Sequence, residues 1–159
     1  MTSKPFNSSF ETGVRCIVIL LAMYPKRVDL QRLVYLDYLS VHSGDAEGPE
    51  SLHAALPMRS AELAVRRQIL EAGLLLMRNY SLVNQHATSE GFVFSVTERA
   101  GTYLSMLQAP YLMKLMDRAS WVADEFGGAD LAEFQAIEKR FFQQWSTSFQ
   151  RLEGGIQKP

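Results

Sequence analysis

A mainly α protein, made of a winged helix-turn-helix domain with a short β-hairpin and then a C-terminal helical hairpin, is predicted by three features of the sequence. The first is three successive stretches with apolar residues at helical spacing, ending near Asn79. The second is a pair of short alternating segments, Leu82 to Gln85 and Phe92 to Val96. The third is the helical pattern that returns after them and continues, across Gly127 and Gly128, into a second long series. Periods of 3.6 and 2 residues give each element one core-facing side. The order of elements then sets the class.

The first helix is predicted to begin at Ser8, where the serine and Glu11 have capping-box spacing, and to end before Pro25, which disfavours helical backbone at Tyr24. Its run from Cys16 to Met23 is apolar on most sides, which predicts a central place in the core. That run is far shorter than the ~20 residues that span a bilayer. It also follows a polar segment with Glu11 and lacks a small-residue cleavage pattern, so no signal peptide is read here.

Asp29 is placed to N-cap the second helix, whose stripe is Leu30, Leu33, Val34, Leu36 and Val41, and Ser43 with Gly44 stop it. The loop from Gly44 to Pro57 is long, and a connection of that length predicts an ordered role, such as binding. A third helix is expected from Arg59 to Asn79, with Leu63, Leu70, Leu74 and Met77 on one face. Gly73 interrupts it. Glycine costs about 1 kcal/mol relative to alanine in a helix, so its presence predicts close approach by another element.

The alternating segments predict two strands joined by a turn from His86 to Gly91, with Phe92, Phe94 and Val96 on one face. Thr97 stands where an N-cap belongs, ahead of a helix carrying Tyr103, Leu104 and Leu107, and Pro110 starts another. The last third reads Leu112, Leu115, Met116, Ala119, Val122 and Phe126, then Leu131, Phe134, Ile137, Phe141, Trp145, Phe149 and Leu152. These positions predict two antiparallel helices around the Gly-Gly turn. The division expected is a winged-helix domain over 1–108 and a helical hairpin over 109–159 packed on it.

A net charge of −1 excludes a global field that would draw the chain to nucleic acid or an anionic membrane. The single Cys16, among Ile17, Val18 and Ile19, excludes an internal disulfide and predicts a buried, inert thiol in a reducing cytoplasm. His42, His53 and His86, with Asp37, Asp45 and Glu47, lack the short repeated intervals of a metal site, so neither metal nor cofactor is assigned. His42 and His53 are instead expected to cap the second helix and anchor the long loop. There is no nucleophile elbow, Walker A sequence or dinucleotide fingerprint, and the chain is read as no enzyme, with no catalytic residue.

A DNA-binding transcriptional regulator is the alternative reading, because the third helix of a winged helix commonly enters the major groove and here carries Arg59, Arg66 and Arg67. Acidic residues oppose it. Glu62 precedes Arg66 by four positions and Glu71 follows Arg67 by four, a spacing that pairs charges within the helix. The turn HATSEG offers only His86 as a cation and adds Glu90.

The stretch from Asp29 to Met77, DLQRLVYLDYLSVHSGD, GPESLHAALPMRSAEL and AVRRQILEAGLLLM, resembles the middle-component family of bacterial three-component ABC-ATPase systems. These small winged-helix subunits accompany an SMC-like ATPase and a third protein, often in phage and plasmid defence loci such as Lamassu. The resemblance runs from about residue 6, at FNSSFETGVR, to residue 126, within QAPYLMKLMDRASWVADEFG, and the distal helix from Asp130 to Leu152 carries the least family expectation. It implies an accessory subunit linking an SMC-like ABC ATPase to an effector, a nuclease among the options, or to a third component, with any DNA contact indirect and no membrane contact. It implies no catalytic residue. The expected partner-binding set is Asp37, His42, His53, Arg59, Glu62, Arg66 and Arg67, around the loop between the second and third helices. For each of these a structural role is the alternative, as with Arg66 paired with Glu62 and Asp37 anchoring the loop through hydrogen bonds.

Overall fold

The computed structural model describes residues 8–54 and 59–140. Helix α1, Ser9–Met23, starts where Ser8 Oγ accepts the Glu11 amide at 3.1 Å, and Tyr24 caps its other end ahead of Pro25. It is buried along most of its length and lies between α3, Arg59–Asn79, and α5, Pro110–Phe126. The apolar run from Cys16 to Leu20 is thereby almost wholly removed from water.

The crossing of α1 and α3 is close because both helices carry glycine there. A Cβ at Gly73 would lie 2.8 Å from the Gly13 amide nitrogen and 3.0 Å from the Ser9 carbonyl oxygen. The expectation of close approach at Gly73 is met, and its partner is Gly13. Helix α2, Leu30–Val41, is N-capped by Asp29, whose Oδ1 accepts the Arg32 amide at 3.0 Å.

A short strand the sequence did not announce, β1 at Val28–Asp29, pairs antiparallel with β3, Gly91–Val96, through Val28 opposite Phe94. With β2, Val83–Thr88, it completes a three-stranded antiparallel sheet in the order β1-β3-β2. The hairpin corrects the predicted turn, since His86, Ala87 and Thr88 are strand and pair with Val93, Phe92 and Gly91. Thr88 Oγ1 donates to the Gly91 carbonyl at 2.6 Å and accepts the Glu90 amide at 3.2 Å, which closes the chain in a tighter turn, and Gly91 supplies the φ of +120° that follows. Phe94 faces the core, whereas Phe92, near the hairpin tip and beyond the helices, is 56% exposed.

Helix α4 is Arg99–Met106. Glu98 precedes it in helical backbone without a side-chain cap bond, while the predicted cap Thr97 accepts the Arg99 amide through Oγ1 at 3.3 Å and donates to the Ser81 carbonyl at 2.7 Å, which ties the helix start to the strand entry. Pro110 opens α5, which buries Leu112, Leu115, Ala119 and Val122, while Met116 turns partly outward. Beyond Gly128, Asp130 Oδ1 accepts the Glu133 amide at 2.8 Å and the chain is helical from 131 to 140, called α6 below. Phe134 is buried and stacks on Tyr35 of α2 with ring centroids 5.2 Å apart, and Tyr35 Oη donates to Glu138 at 2.5 Å. The expected apolar positions Phe141, Trp145, Phe149 and Leu152 lie outside the described residues.

The protein is therefore mainly helical, with one small antiparallel sheet. No helix among the described residues is long and apolar enough to cross a membrane.

Candidate functional site

Four charged side chains from three helices meet inside the protein. Arg15 of α1 donates through Nε to Asp37 Oδ1 of α2 at 2.8 Å, and Arg66 of α3 donates through Nη1 to Asp37 Oδ2 at 2.5 Å. Arg66 Nη2 also donates to Glu62 Oε1, one turn earlier, at 2.7 Å. Two guanidiniums and two carboxylates balance. The Asp37 side chain is 0% exposed and those of Arg15 and Arg66 are 4% and 7%, so the group lies in a medium where an unmatched charge is costly. Burial by itself raises the Asp37 carboxyl, but the adjacent Arg15 and Arg66 outweigh it and hold the group down at about 2. Burial lowers Arg15, and Asp37 again outweighs it, so the guanidinium stays charged.

An aromatic chain continues from this centre toward the loop that follows α2. The Arg66 guanidinium lies 5.5 Å from the Tyr38 ring centroid, and the Tyr38 hydroxyl donates to Asp45 Oδ2 at 2.6 Å. His42, at the end of α2, lies against Tyr38 with ring centroids 4.6 Å apart and meets His53 edge-on at 5.9 Å. His53 Nε2 is 2.7 Å from the Tyr111 hydroxyl of α5. Burial, then electrostatic interaction with Arg15, His42 and Arg66, push His53 down to about 4, and burial lifts Tyr111 to about 12. At neutral pH both are uncharged.

Backbone bonds hold the loop closed. A 3-10 turn over Ser43–Ala46 leads into it, and the amides of Leu52 and His53 both return to the Val41 carbonyl, at 2.9 and 3.0 Å. Ser43 Oγ donates to the Pro49 carbonyl at 2.8 Å, Ser51 Oγ accepts the Gly44 amide at 2.8 Å, and Arg118 of α5 donates to the Glu50 carbonyl at 2.9 Å. Gly48 lies against the Trp121 ring. An ordered loop was expected from its length, and 44–54 is ordered in this way. Glu47 and Glu50 remain exposed on it.

Of the seven residues predicted for partner contact, Asp37, Glu62 and Arg66 converge in the ion cluster, and His42 and His53 in the aromatic chain. Arg67 stands apart, nearly half exposed and 3.5 Å from Glu71 on the outer face of α3. The Arg59 side chain lies outside the described residues. Asp37, His42 and Arg66 are buried. Sequence reasoning missed Arg15, Tyr38 and Tyr111. The one available signal was a lone arginine ahead of an apolar run, which reads more simply as a boundary.

Both Asp37 oxygens are taken by guanidiniums, Cys16 is fully buried with its thiol pushed upward by that burial, and no group of three His, Cys, Asp or Glu that could hold a metal occurs among the described residues. The family model described as ABC-three component (ABC-3C) system Middle Component 2 matches residues 5–148, and so takes in most of the segment 130–152 for which the sequence resemblance carried the least expectation. No curated protein and no solved structure matches the chain.

Proposed function

Since this chain belongs to the ABC-three component (ABC-3C) system Middle Component 2 family, we propose that it is a non-catalytic adaptor that links an SMC-like ABC ATPase to an effector or third component. The setting we propose is the cytoplasm, in a defence complex of the Lamassu type acting against phage or plasmids. The observation that carries this reading is the balanced ion cluster of Arg15, Asp37, Arg66 and Glu62. Its charges are spent on joining α1, α2 and α3, and so on presenting the loop over 42–54 as a fixed surface. A fixed surface suits protein recognition, since little ordering entropy opposes docking.

The winged-helix reading rests on the order α1, β1, α2, α3, β2, β3 and the sheet order β1-β3-β2. In that reading residues 1–108 form the winged helix, and the segment over 109–159 buttresses it through α5 and α6. The DNA-regulator alternative loses support from the position of Arg66, which is turned inward onto Asp37, and from the negative charge of Glu71, which offsets that of Arg67 on the outer face without binding it tightly. That leaves few cations on α3 for phosphates.

The test is expression of the tagged chain with its neighbouring reading frames, followed by purification at moderate salt. The ATPase is expected to co-elute. Recovery of the chain alone from cells making every component, together with tight duplex-DNA binding that weakens steeply with salt, would replace the adaptor with the regulator.

A further inference from the structure

The outward face of α3, opposite the face that meets α1, carries Val65, Gln68, Ala72, Leu75 and Asn79 at alternating intervals of three and four residues. All five are exposed, with Val65 at 55% and Leu75 at 53%. This is the spacing of a helix-pairing seam, in which each knob enters a hole of a facing helix. Its two borders differ. Ile69 and Leu76, half-buried, widen the apolar strip on one side, and Glu71 and Arg78 stand on the other.

We infer that this face pairs with the same face of a second copy of the chain, the two α3 helices running antiparallel about a two-fold axis. In that arrangement Ala72 of each copy meets Leu75 of the other, and Gln68 meets Asn79. Along one border Ile69 meets Leu76; along the other Glu71 meets Arg78. Every contact occurs twice, as an isologous interface requires. The charges are what select the occupant: an acid and a base seven residues apart on one border complement themselves when the helix is turned end for end, whereas in a parallel pair the two different borders face each other and Glu71 would meet the apolar Leu76. Both border charges already have exposed contacts within the chain, Glu71 with Arg67 at 3.5 Å and Arg78 donating to Gln85, and such exposed contacts are too weak to hold either group from an additional partner. Polyanion binding fits poorly, because the same face sets aliphatic side chains at its centre.

A seam of four layers lies at the small end of stable interfaces, so dissociation in the micromolar range is expected. Sedimentation equilibrium of the full chain across that range should show the mass of two chains. Leu75→Glu, at an exposed position, should leave the circular dichroism unchanged and give a single-chain mass. Glu71→Arg alone and Arg78→Glu alone should each weaken association by at least about tenfold, and the two combined should restore it. A single-chain mass at every concentration would overturn the pairing, as would a dimer indifferent to Leu75→Glu or a double exchange that fails to restore association. Capture of this face by the ATPase with no self-association would likewise overturn it, while leaving the adaptor reading intact.

Discussion

Replacing Asp37 by alanine removes the one carboxylate that both buried guanidiniums share. Arg15, whose side chain is 4% exposed, would lose its ion-pair partner at 2.8 Å, and Arg66 would keep only Glu62, itself 23% exposed. Breaking a buried pair from one side costs about 3–5 kcal/mol, because the charge left behind is poorly solvated. Against a total stability of about 5–15 kcal/mol this is a large share, and it corresponds to a fall in Tm of about 6–20 °C for a chain of this size. Urea unfolding followed by tryptophan fluorescence measures it directly. A companion variant, Arg15→Leu with Asp37→Leu, Arg66→Met and the part-exposed Glu62→Gln, removes all four charges together and should fall within about 1 kcal/mol of the parent, since apolar packing commonly matches a buried ion group. If Asp37→Ala alone unfolds within about 1 kcal/mol of the parent, the carboxylate is not what holds the three helices.

Three further outcomes follow from the same structure. Asp37, lowered from 3.8 to about 2, contributes about 2 kcal/mol that is fully present above pH 3.8 and lost as pH falls through 2. His53, lowered from 6.5 to about 4, takes up its proton more readily unfolded, so stability should also decline from pH 6.5 to 4, and His53→Gln should flatten that upper window in urea midpoints measured across pH. Gly73→Ala should destabilise by about 1–3 kcal/mol, because the new Cβ meets Gly13 backbone, whereas Gly101→Ala on α4, with open space around it, should stabilise by about 0.5–1 kcal/mol; paired thermal melts separate clash from propensity. Phe134→Ala, deleting a ring that is 1% exposed and stacked on Tyr35, should cost about 3–5 kcal/mol in urea titrations and open α6 to limited proteolysis.

Features fixed by near neighbours in sequence were the ones that could be read beforehand. Ser8 and Asp29 cap helices through amides three residues on, and the bounds of α3 coincide with those predicted from apolar spacing. Gly73 advertised a close crossing, though nothing in the sequence named Gly13. The two-residue strand β1 has no period to detect; it is a strand only because β3 lies beside it. His86 to Thr88 looked like a turn because the residues are polar, yet on an exposed hairpin strand polarity and extended backbone are compatible. Within the candidate site, the Glu62–Arg66 pair was visible at four residues' separation. The partners of Asp37 lie 22 and 29 residues away, and that of His53 lies 58 away, so those contacts exist only once the helices have packed.

The far end of the loop after α2 is fastened back to the residue it departs from, through the Leu52 and His53 amides on the Val41 carbonyl, and its middle is fastened to α5 by Arg118. A molecule that seized Glu47 or Glu50 from outside would find no slack to take up before the tug reached the interior helices. A pull applied there passes through Val41 and Arg118 directly into α2 and α5, so the loop and the helical body respond to force as one piece.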